Sequence, residues 1–558
     1  MRTITARSAE RTLADSTLTE SIRLADTTLP LSPHTVGSLL RAVAGERPDT
    51  VALEAIPDDH SPSRRWTYAQ LLAEAESIAA GMRERVGSGA RVALWAPNVP
   101  EWPMIEYAAA LAGVTLVTLN PALRAGELSY ALRTSEAQML IHADHSRAYD
   151  MGEVARAVAA DLPGLRHVLS LGDPQSLRGS APLPSQEEIV ESGLPAQIQF
   201  TSGTTGAPKA VLLSHRSVVN VARLTFEGLE VPEGATVVSP LPMFHTAGAV
   251  ISCLGPLWSK GTFTLLERFE PKVLFEVLRR SPGAVLTSVP TVLAALNDVA
   301  RAATDAPARL SAVLTGAAPV RAQLIAETED LFSTTVFNLY GQTELASVVT
   351  LTRPDDTAEY KTSTVGRPLP NVACKIVDPD TGHVQPLGVP GEICARGYQQ
   401  LLAYYGDPEA TAEKVDPDGW VHTGDLGSMD ATGAVRIEGR LSDIVIRGGE
   451  NIAPGPIETF LSTLPGVRDA VVVGVPDDLW GEAVAAVLLP SSEHPAGPDP
   501  ALLLGRCREQ LSPHKIPTQW FVVDALPMTA SGKVQKFRLR ELIAEGALTR
   551  LDTPASDR

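Results

Sequence analysis

Apolar residues fall at Val36, Leu39, Leu40 and Val43, the i, i+3, i+4, i+7 spacing of one helix face, so the first periodic helix begins just after Pro33. Ahead of it the chain is polar and unpatterned, and residues 1–34 are expected to form a lead-in. From about residue 50, short apolar runs rich in β-formers alternate with amphipathic stretches. RVALWAP (91–97), VTLVTLN (114–120) and AQMLIHA (137–143) predict buried strands. EWPMIEYAAALAG (101–113) and ELSYALRTS (127–135) predict the helices between them. Strands alternating with helices imply parallel α/β sheets. The pattern changes near residue 440. Before it, EICARG and AVRIEG read as short strands with glycine turns. After it come a strand, a glycine turn and a helix opened by Pro456. The last hundred or so residues read β-α-β-β-α-β through DAVVVGVPD, AVAAVLL, ALLLGRCREQL and TQWFVVD, enough for a small separate α+β domain. The closing TRLDTPASDR is polar and expected to fray.

Composition narrows the classes. A chain of 558 residues calls for more than one domain, and 44% hydrophobic with 20% charged residues is ordinary for a globular protein. A formal net charge of −18 argues against broad nucleic-acid or anionic-membrane surfaces, so an anionic ligand must be met by a local cluster of donors. Cys253, Cys374, Cys394 and Cys507 form no CxxC and no Cys/His spacing of a metal site, which predicts buried thiols in a reducing cytosol. The first twenty residues contain no apolar leader. The uncharged run 239–259 could span a bilayer by length, but Pro240, Pro242, His245 and Pro256 punctuate it and make it core and loop. The expected location is cytoplasmic, without a membrane segment or a nucleic-acid partner.

Several short segments carry chemistry. Thr201-Ser202-Gly203-Thr204-Thr205-Gly206-Ala207-Pro208-Lys209 lies between an apolar strand at 198–200 and another at 210–213. Glycines admit backbone N–H groups to a polyphosphate, hydroxyls add donors and lysine adds charge. It is not a Walker A loop, which needs Gly-Lys-Ser/Thr opening a helix. By composition alone, a plain hairpin turn explains it equally well. Tyr340-Gly341-Gln342-Thr343-Glu344 offers a stacking ring, a hydroxyl donor and a hard oxygen ligand, and would otherwise be a turn with a buried tyrosine. Gly316-Ala317-Ala318 is flat enough to lie under a base, or is core packing. Asp425 follows His422-Thr423-Gly424 as a carboxylate in a glycine turn, a place where an Asx turn is also common. Lys533, in Thr529-Ala530-Ser531-Gly532-Lys533, would be a solvated charge if it stood alone.

These segments together resemble a known family. TSGTTGAPK is similar to the phosphate-loop signature of the adenylate-forming superfamily, which contains acyl-CoA synthetases, nonribosomal-peptide adenylation domains and firefly-type luciferases. PLPMFHTAG (240–248), TGAAPV (315–320), NLYGQTE (338–344), GEICARG (391–397), WVHTGD (420–425), GRLSDIVIRGGENIAP (439–454) and LPMTASGKVQK (526–536) follow in the family's order. The likeness runs from about residue 35 to 545, closest to fatty-acid or aryl acid CoA ligases.

The resemblance implies an α/β fold. Its large N-terminal domain of α/β sheets with a β-barrel-like subdomain would occupy 35–439 and a mobile α+β C-terminal domain 444–545, joined by a hinge at 440–443 and followed by a tail at 546–558. It implies ATP and Mg2+, with CoA as cosubstrate. Lys533, Thr205 and Glu344 would be catalytic, with Glu344 on Mg2+. Thr201, Ser202, Gly203, Thr204, Thr205, Gly206 and Lys209 would bind the phosphates. Gly316, Ala317, Ala318, Asn338, Tyr340, Gly341 and Thr343 would take the base and phosphates, and Asp425 with Arg440 the ribose. His245, Gly248, Gly448 and Gly449 would line the acyl and thiol tunnel, and Ser442 or Asp443 would be the pivot.

The hinge position is often aspartate or lysine in the family, and here it is serine followed by aspartate. No carboxylate occurs at 245–252, where amino-acid-activating members carry an aspartate, so an amino-acid substrate is disfavoured. Trp420 follows Glu344 by 76 residues, leaving little room for the insertion of ligases that stop at fatty acyl-AMP. The expected reaction joins an apolar or aromatic carboxylic acid to CoA through an acyl adenylate. Transfer to a carrier protein, activation of a non-acyl oxyanion such as nitrite for an aromatic amine, luciferase-like oxidation of the adenylate, for which no sequence feature speaks, and a non-catalytic nucleotide-binding protein are the rivals. The sequence leaves a homodimer open.

Overall fold

The computed structural model describes residues 17–59, 61–180, 183, 191–201, 208–448, 450–477, 479–491, 498–528 and 534–551. The described residues divide into two compact units, one within 23–374 and 395–421, the other within 16–22, 375–394 and 422–558. The expected pivot residues Ser442 and Asp443 lie inside the second unit.

Among the described residues, the first unit is built on two large sheets, with a small two-stranded hairpin at His145–Ser146 and Tyr149–Asp150. Among the described residues, one has seven strands in the order Ala403–Tyr404, Lys209–Ser214, Pro195–Thr201, Thr115–Leu119, Arg91–Trp95, Met139–His142 and His167–Ser170. Its last five are parallel, as the strand–helix alternation requires, and the first two are antiparallel additions. The predicted strands and helices of this region are found within two residues of their expected ends (Glu101–Ala112 and Ala125–Thr134 for the helices). The helix Glu101–Ala112 is buried from Trp102 to Ala112, because it packs against both Tyr68–Val86 and Val36–Glu46. Those two helices start at Thr67 and Thr35, each closing a capping box with the residue three ahead.

The second sheet has nine strands among the described residues. Val336–Tyr340, Ala312–Gly316, Val285–Thr287, Thr236–Ser239, Thr262–Leu266 and Val51–Ile56 form its parallel centre. The uncharged run that follows Ser239 enters a π-helical turn at Ala247–Ser252 and a helix at Cys253–Ser259, nearly all buried. Among the described residues, no helix is long and apolar enough to cross a membrane.

The second unit holds most of a five-stranded sheet, ordered Ile22–Arg23, Val372–Val377, Gly391–Gly397, Val421–Met429 and Val435–Arg440. It also holds a six-stranded sheet around the long hairpin Val467–Asp477 and Gly481–Pro490. The helix expected to open at Pro456 begins at Pro454. Both prolines fall in the first helical turn, where no intrahelical N–H is needed, so either could mark the start. The polar lead-in is tied down from residue 17 onward. Ser21 exchanges backbone bonds with Gln385 and Ile376, and Ser32 is held at both backbone groups by the Asn220 amide.

Candidate functional site

Three of the quoted motifs lie just past the carboxyl ends of parallel strands of the nine-stranded sheet. Thr236–Ser239 runs into the His245 segment, Ala312–Gly316 into Ala317 and Ala318, and Val336–Tyr340 into the Gly341 turn. The last two strands are direct neighbours, with Gly316 opposite Leu339. In open α/β sheets this edge is where ligands bind.

The Gly341 turn is tightly wound. Thr343–Leu345 form one 3-10 turn, and Ala346 and Ser347 follow with φ of 52° and 109°. A Cβ on Gly341 would stand 1.8 Å from the Ser347 carbonyl oxygen, so this backbone excludes any side chain there. Ala317 is also held at a φ of 65°, a conformation that costs a non-glycine residue of order 1 kcal/mol and clusters at functional sites. Tyr340 is buried. Asn338, expected at the nucleotide, donates its side-chain amide inside the fold, to the carbonyls of Lys361 at 3.1 Å and Thr364 at 3.4 Å.

In the seven-stranded sheet, Pro195–Thr201 and Lys209–Ser214 form an antiparallel pair with Thr201 opposite Lys209. They bracket the expected phosphate loop. Ser202, Gly203, Thr204, Thr205 and Gly206 lie outside the described residues. The loop's exit is fixed by the Tyr130 hydroxyl, which donates to the Pro208 carbonyl at 3.1 Å.

A residue that the sequence reading passed over joins these parts. Tyr404 donates its hydroxyl to Glu344 Oε1 at 2.8 Å, and the Lys209 ammonium stands 4.9 Å from the centre of its ring. The same segment ties down both neighbours through the backbone. Leu401 N–H donates to the Glu344 carbonyl at 2.7 Å, Leu402 to Leu212 at 2.8 Å and Tyr405 to Ala210 at 2.7 Å. Burial and the Glu344 charge push the Tyr404 phenol far above its ordinary range, so it stays a donor. Glu344 is only 8% exposed, a buried hard-oxygen donor of the kind that suits Mg2+.

His245 is half-buried and packs against Phe244 at 4.2 Å between ring centres with the rings tilted by 42°, two residues before the π-helical turn that contains Gly248. The Phe244 carbonyl accepts from Thr118 at 3.0 Å, and Asn98 bonds the backbone of both Leu241 and Met243, so a strand of the other sheet and the loop after its neighbour set this segment's path. π-turns inside helices are frequent at functional sites.

In the second unit, Asp425 and Arg440 sit opposite each other on paired strands and form an ion pair at 3.1 Å. Asp425 is buried and its turn is braced twice. Thr423 Oγ1 accepts from the Asp425 N–H at 3.1 Å, and Glu392 Oε1 accepts from the Gly424 N–H at 2.9 Å. Glu392 also takes a 2.7 Å contact from His422 Nδ1, which is 3.6 Å from Cys394 Sγ. All four cysteines are buried free thiols, as their spacing predicts, but Cys394 meets Glu392 and His422 in three dimensions, because residues about 30 apart in sequence come together across adjacent strands. Ser442 and Asp443 form a single 3-10 turn with Leu441, and Asp443 accepts from Arg540 at 3.5 Å. Gly448 turns between two short strands at a φ of 60°, and a Cβ there would stand 2.7 Å from the Trp480 ring. Gly449 and Lys533 lie outside the described residues, although Met528 and Val534 pair on either side of the lysine's segment.

Against this geometry, the family described as AMP-binding enzyme matches residues 40–405, and that described as AMP-binding enzyme C-terminal domain matches 456–533. The mitochondrial medium-chain acyl-CoA ligase of Bos taurus is 34% identical over 549 residues, covering 92% of this chain and 88% of that protein. The ATP-bound structure of MatB from Rhodopseudomonas palustris superposes with a TM-score of 0.80 at 28% identity, covering 91% of this chain and 99% of that one. The o-succinylbenzoate CoA synthetase of Bacillus subtilis, in complex with its acyl-adenylate intermediate, gives 0.78 at 26% identity over 92% and 99%.

Proposed function

Because the chain belongs to the AMP-binding enzymes, as an AMP-forming acid–CoA ligase of the acyl-CoA synthetase type, we propose that it activates an apolar or aromatic carboxylic acid in two half-reactions. In the first, a carboxylate oxygen attacks the α-phosphorus of ATP and pyrophosphate leaves, giving an acyl adenylate. In the second, the CoA sulfur attacks the acyl carbon, the carbon–oxygen bond to AMP breaks, and the thiol proton goes to solvent.

The observation that carries this reading is the Tyr404 bridge, which sets a buried carboxylate and a lysine on one ring beside the segment expected to wrap a polyphosphate. Thr201, Lys209 and the residues at 202–206 hold the phosphates in this proposal, with Thr343 adding a hydroxyl. Gly316, Ala317 and Ala318 form the platform for the base and Tyr340 its stacking ring. Asp425 takes the ribose hydroxyls, oriented by Arg440. Glu344 would hold Mg2+, which when bound offsets polyphosphate charge. The apolar wall at Ala247, Ala249, Val250 and Ile251 supports an apolar tail or aromatic ring, with His245 and Gly248 at its edge. Gly448 and Gly449 would face the pantetheine arm, and Ser442 and Asp443 remain the proposed pivot.

Lys533 gives the separating experiment. If it meets the charge building at the α-phosphate, Lys533→Ala lowers acyl-AMP formation by roughly 10² or more. Thioester formation from supplied acyl-AMP and CoA then stays near the parent rate. Equal loss in both steps would overturn the assignment. A pyrophosphate-release screen over a panel of carboxylic acids identifies the substrate class beforehand.

A further inference from the structure

We propose that Glu392, Cys394 and His422 form a binding site for one thiophilic divalent cation of the zinc class. Glu392 and Cys394 are two apart on the strand Gly391–Gly397, so their side chains leave the same face, and His422 comes from the neighbouring strand Val421–Met429. One ligand atom from each lies within 4.8 Å of the other two. The donor set is a thiol, an imidazole nitrogen and a carboxylate oxygen, the three ligand types of protein zinc sites.

The spacing fits a tetrahedral ion. Bond lengths of about 2.3 Å to sulfur and 2.1 Å to nitrogen at the tetrahedral angle put the two ligands about 3.6 Å apart. Cys394 Sγ and His422 Nδ1 are 3.6 Å apart. The His422–Glu392 contact of 2.7 Å has to open to about 3.4 Å, a movement of under 1 Å at the tip of a glutamate. Cys394 and Glu392 are buried, whereas the His422 side chain is 32% exposed, which gives the ion an entrance and leaves room for a solvent ligand in the fourth position. Glu392 Oε1 already accepts from Gly424 N–H, so one carboxylate oxygen is anchored while Oε2 faces the imidazole. The alternative is a hydrogen-bonded His–Glu pair beside an inert thiol.

The full-length protein, reduced and stripped with chelator, is titrated with Co2+ and read in the near ultraviolet, where a thiolate–Co2+ bond absorbs. The site predicts a band that saturates at one equivalent and is displaced by Zn2+. Cys394→Ala abolishes it, Cys374→Ala leaves it unchanged, and His422→Gln weakens Co2+ binding at least tenfold. Absence of the band, or its persistence in Cys394→Ala, overturns the proposal. Should Cys394→Ala fail to fold, the part-exposed His422 decides alone, and unchanged Co2+ affinity in His422→Gln refutes it.

Discussion

Glu106 offers a sharp test of how the core under the strand Pro195–Thr201 is built. Its carboxyl is fully buried on the helix Glu101–Ala112, accepts from the Gln197 amide and lies beside Cys253. Gln197 in turn accepts from Gln199, and both belong to the strand that ends at Thr201. Burial raises the Glu106 pKa from 4.5 to about 8, with the Cys253 and Gln197 contacts opposing the rise only in part. The sign follows from linkage. Below pH 4.5 the group is protonated in both folded and unfolded chains and has no effect. Between 4.5 and about 8 the unfolded chain releases a proton that the folded one keeps, so folding weakens about tenfold per pH unit. Across pH 5.5 to 7.5 that is about 3 kcal/mol, and the whole gap approaches 5 kcal/mol. Glu106→Gln keeps the shape of the protonated acid and removes the titration. We expect the variant to match the parent at pH 4.5 and to exceed it by about 3 kcal/mol or more at pH 7.5. Urea unfolding followed by tryptophan fluorescence at several pH values measures the difference, in which all other titrating groups cancel. A difference that stays flat with pH would refute the buried neutral carboxyl.

Two further substitutions probe the bridge and the turn. Tyr404→Phe removes a hydrogen bond to a charged group and should slow acid-dependent pyrophosphate release by about 10-fold or more, while transfer from supplied acyl-AMP to CoA changes little. An unchanged release rate would show that Tyr404 does not position Glu344. Gly341→Ala places a methyl 1.8 Å from the Ser347 oxygen, so the turn must move. Pyrophosphate release should fall by roughly 10² with far-ultraviolet circular dichroism retained, and wild-type release would mean that the turn's geometry does not matter to chemistry.

Much of the scaffold was legible because its signals are local. The helix on Val36, Leu39, Leu40 and Val43 appears as Val36–Glu46, and the apolar runs on either side of the proposed phosphate loop form paired strands. Tyr404 was not legible. It is 60 residues from Glu344, and its partner is set by an antiparallel edge strand of two residues that no periodicity marks. The Glu392–Cys394–His422 cluster was missed for the same reason, since spacing rules see ligands on one loop or helix and these face each other across a sheet. Residues 17–34 read as an unpatterned lead-in because they are held through backbone groups and the Asn220 amide, contacts that leave no hydrophobic signature.

The acyl-adenylate route itself is tested most directly by oxygen transfer. The acid that gives the fastest pyrophosphate release is supplied with both carboxylate oxygens as 18O, together with ATP, Mg2+ and CoA, and the products are weighed by mass spectrometry. Attack by the carboxylate on the α-phosphorus, followed by thiol attack on the acyl carbon, leaves one 18O in each AMP and one in each thioester. Unlabelled AMP, or 18O recovered in orthophosphate with ADP as the nucleotide product, would contradict the account.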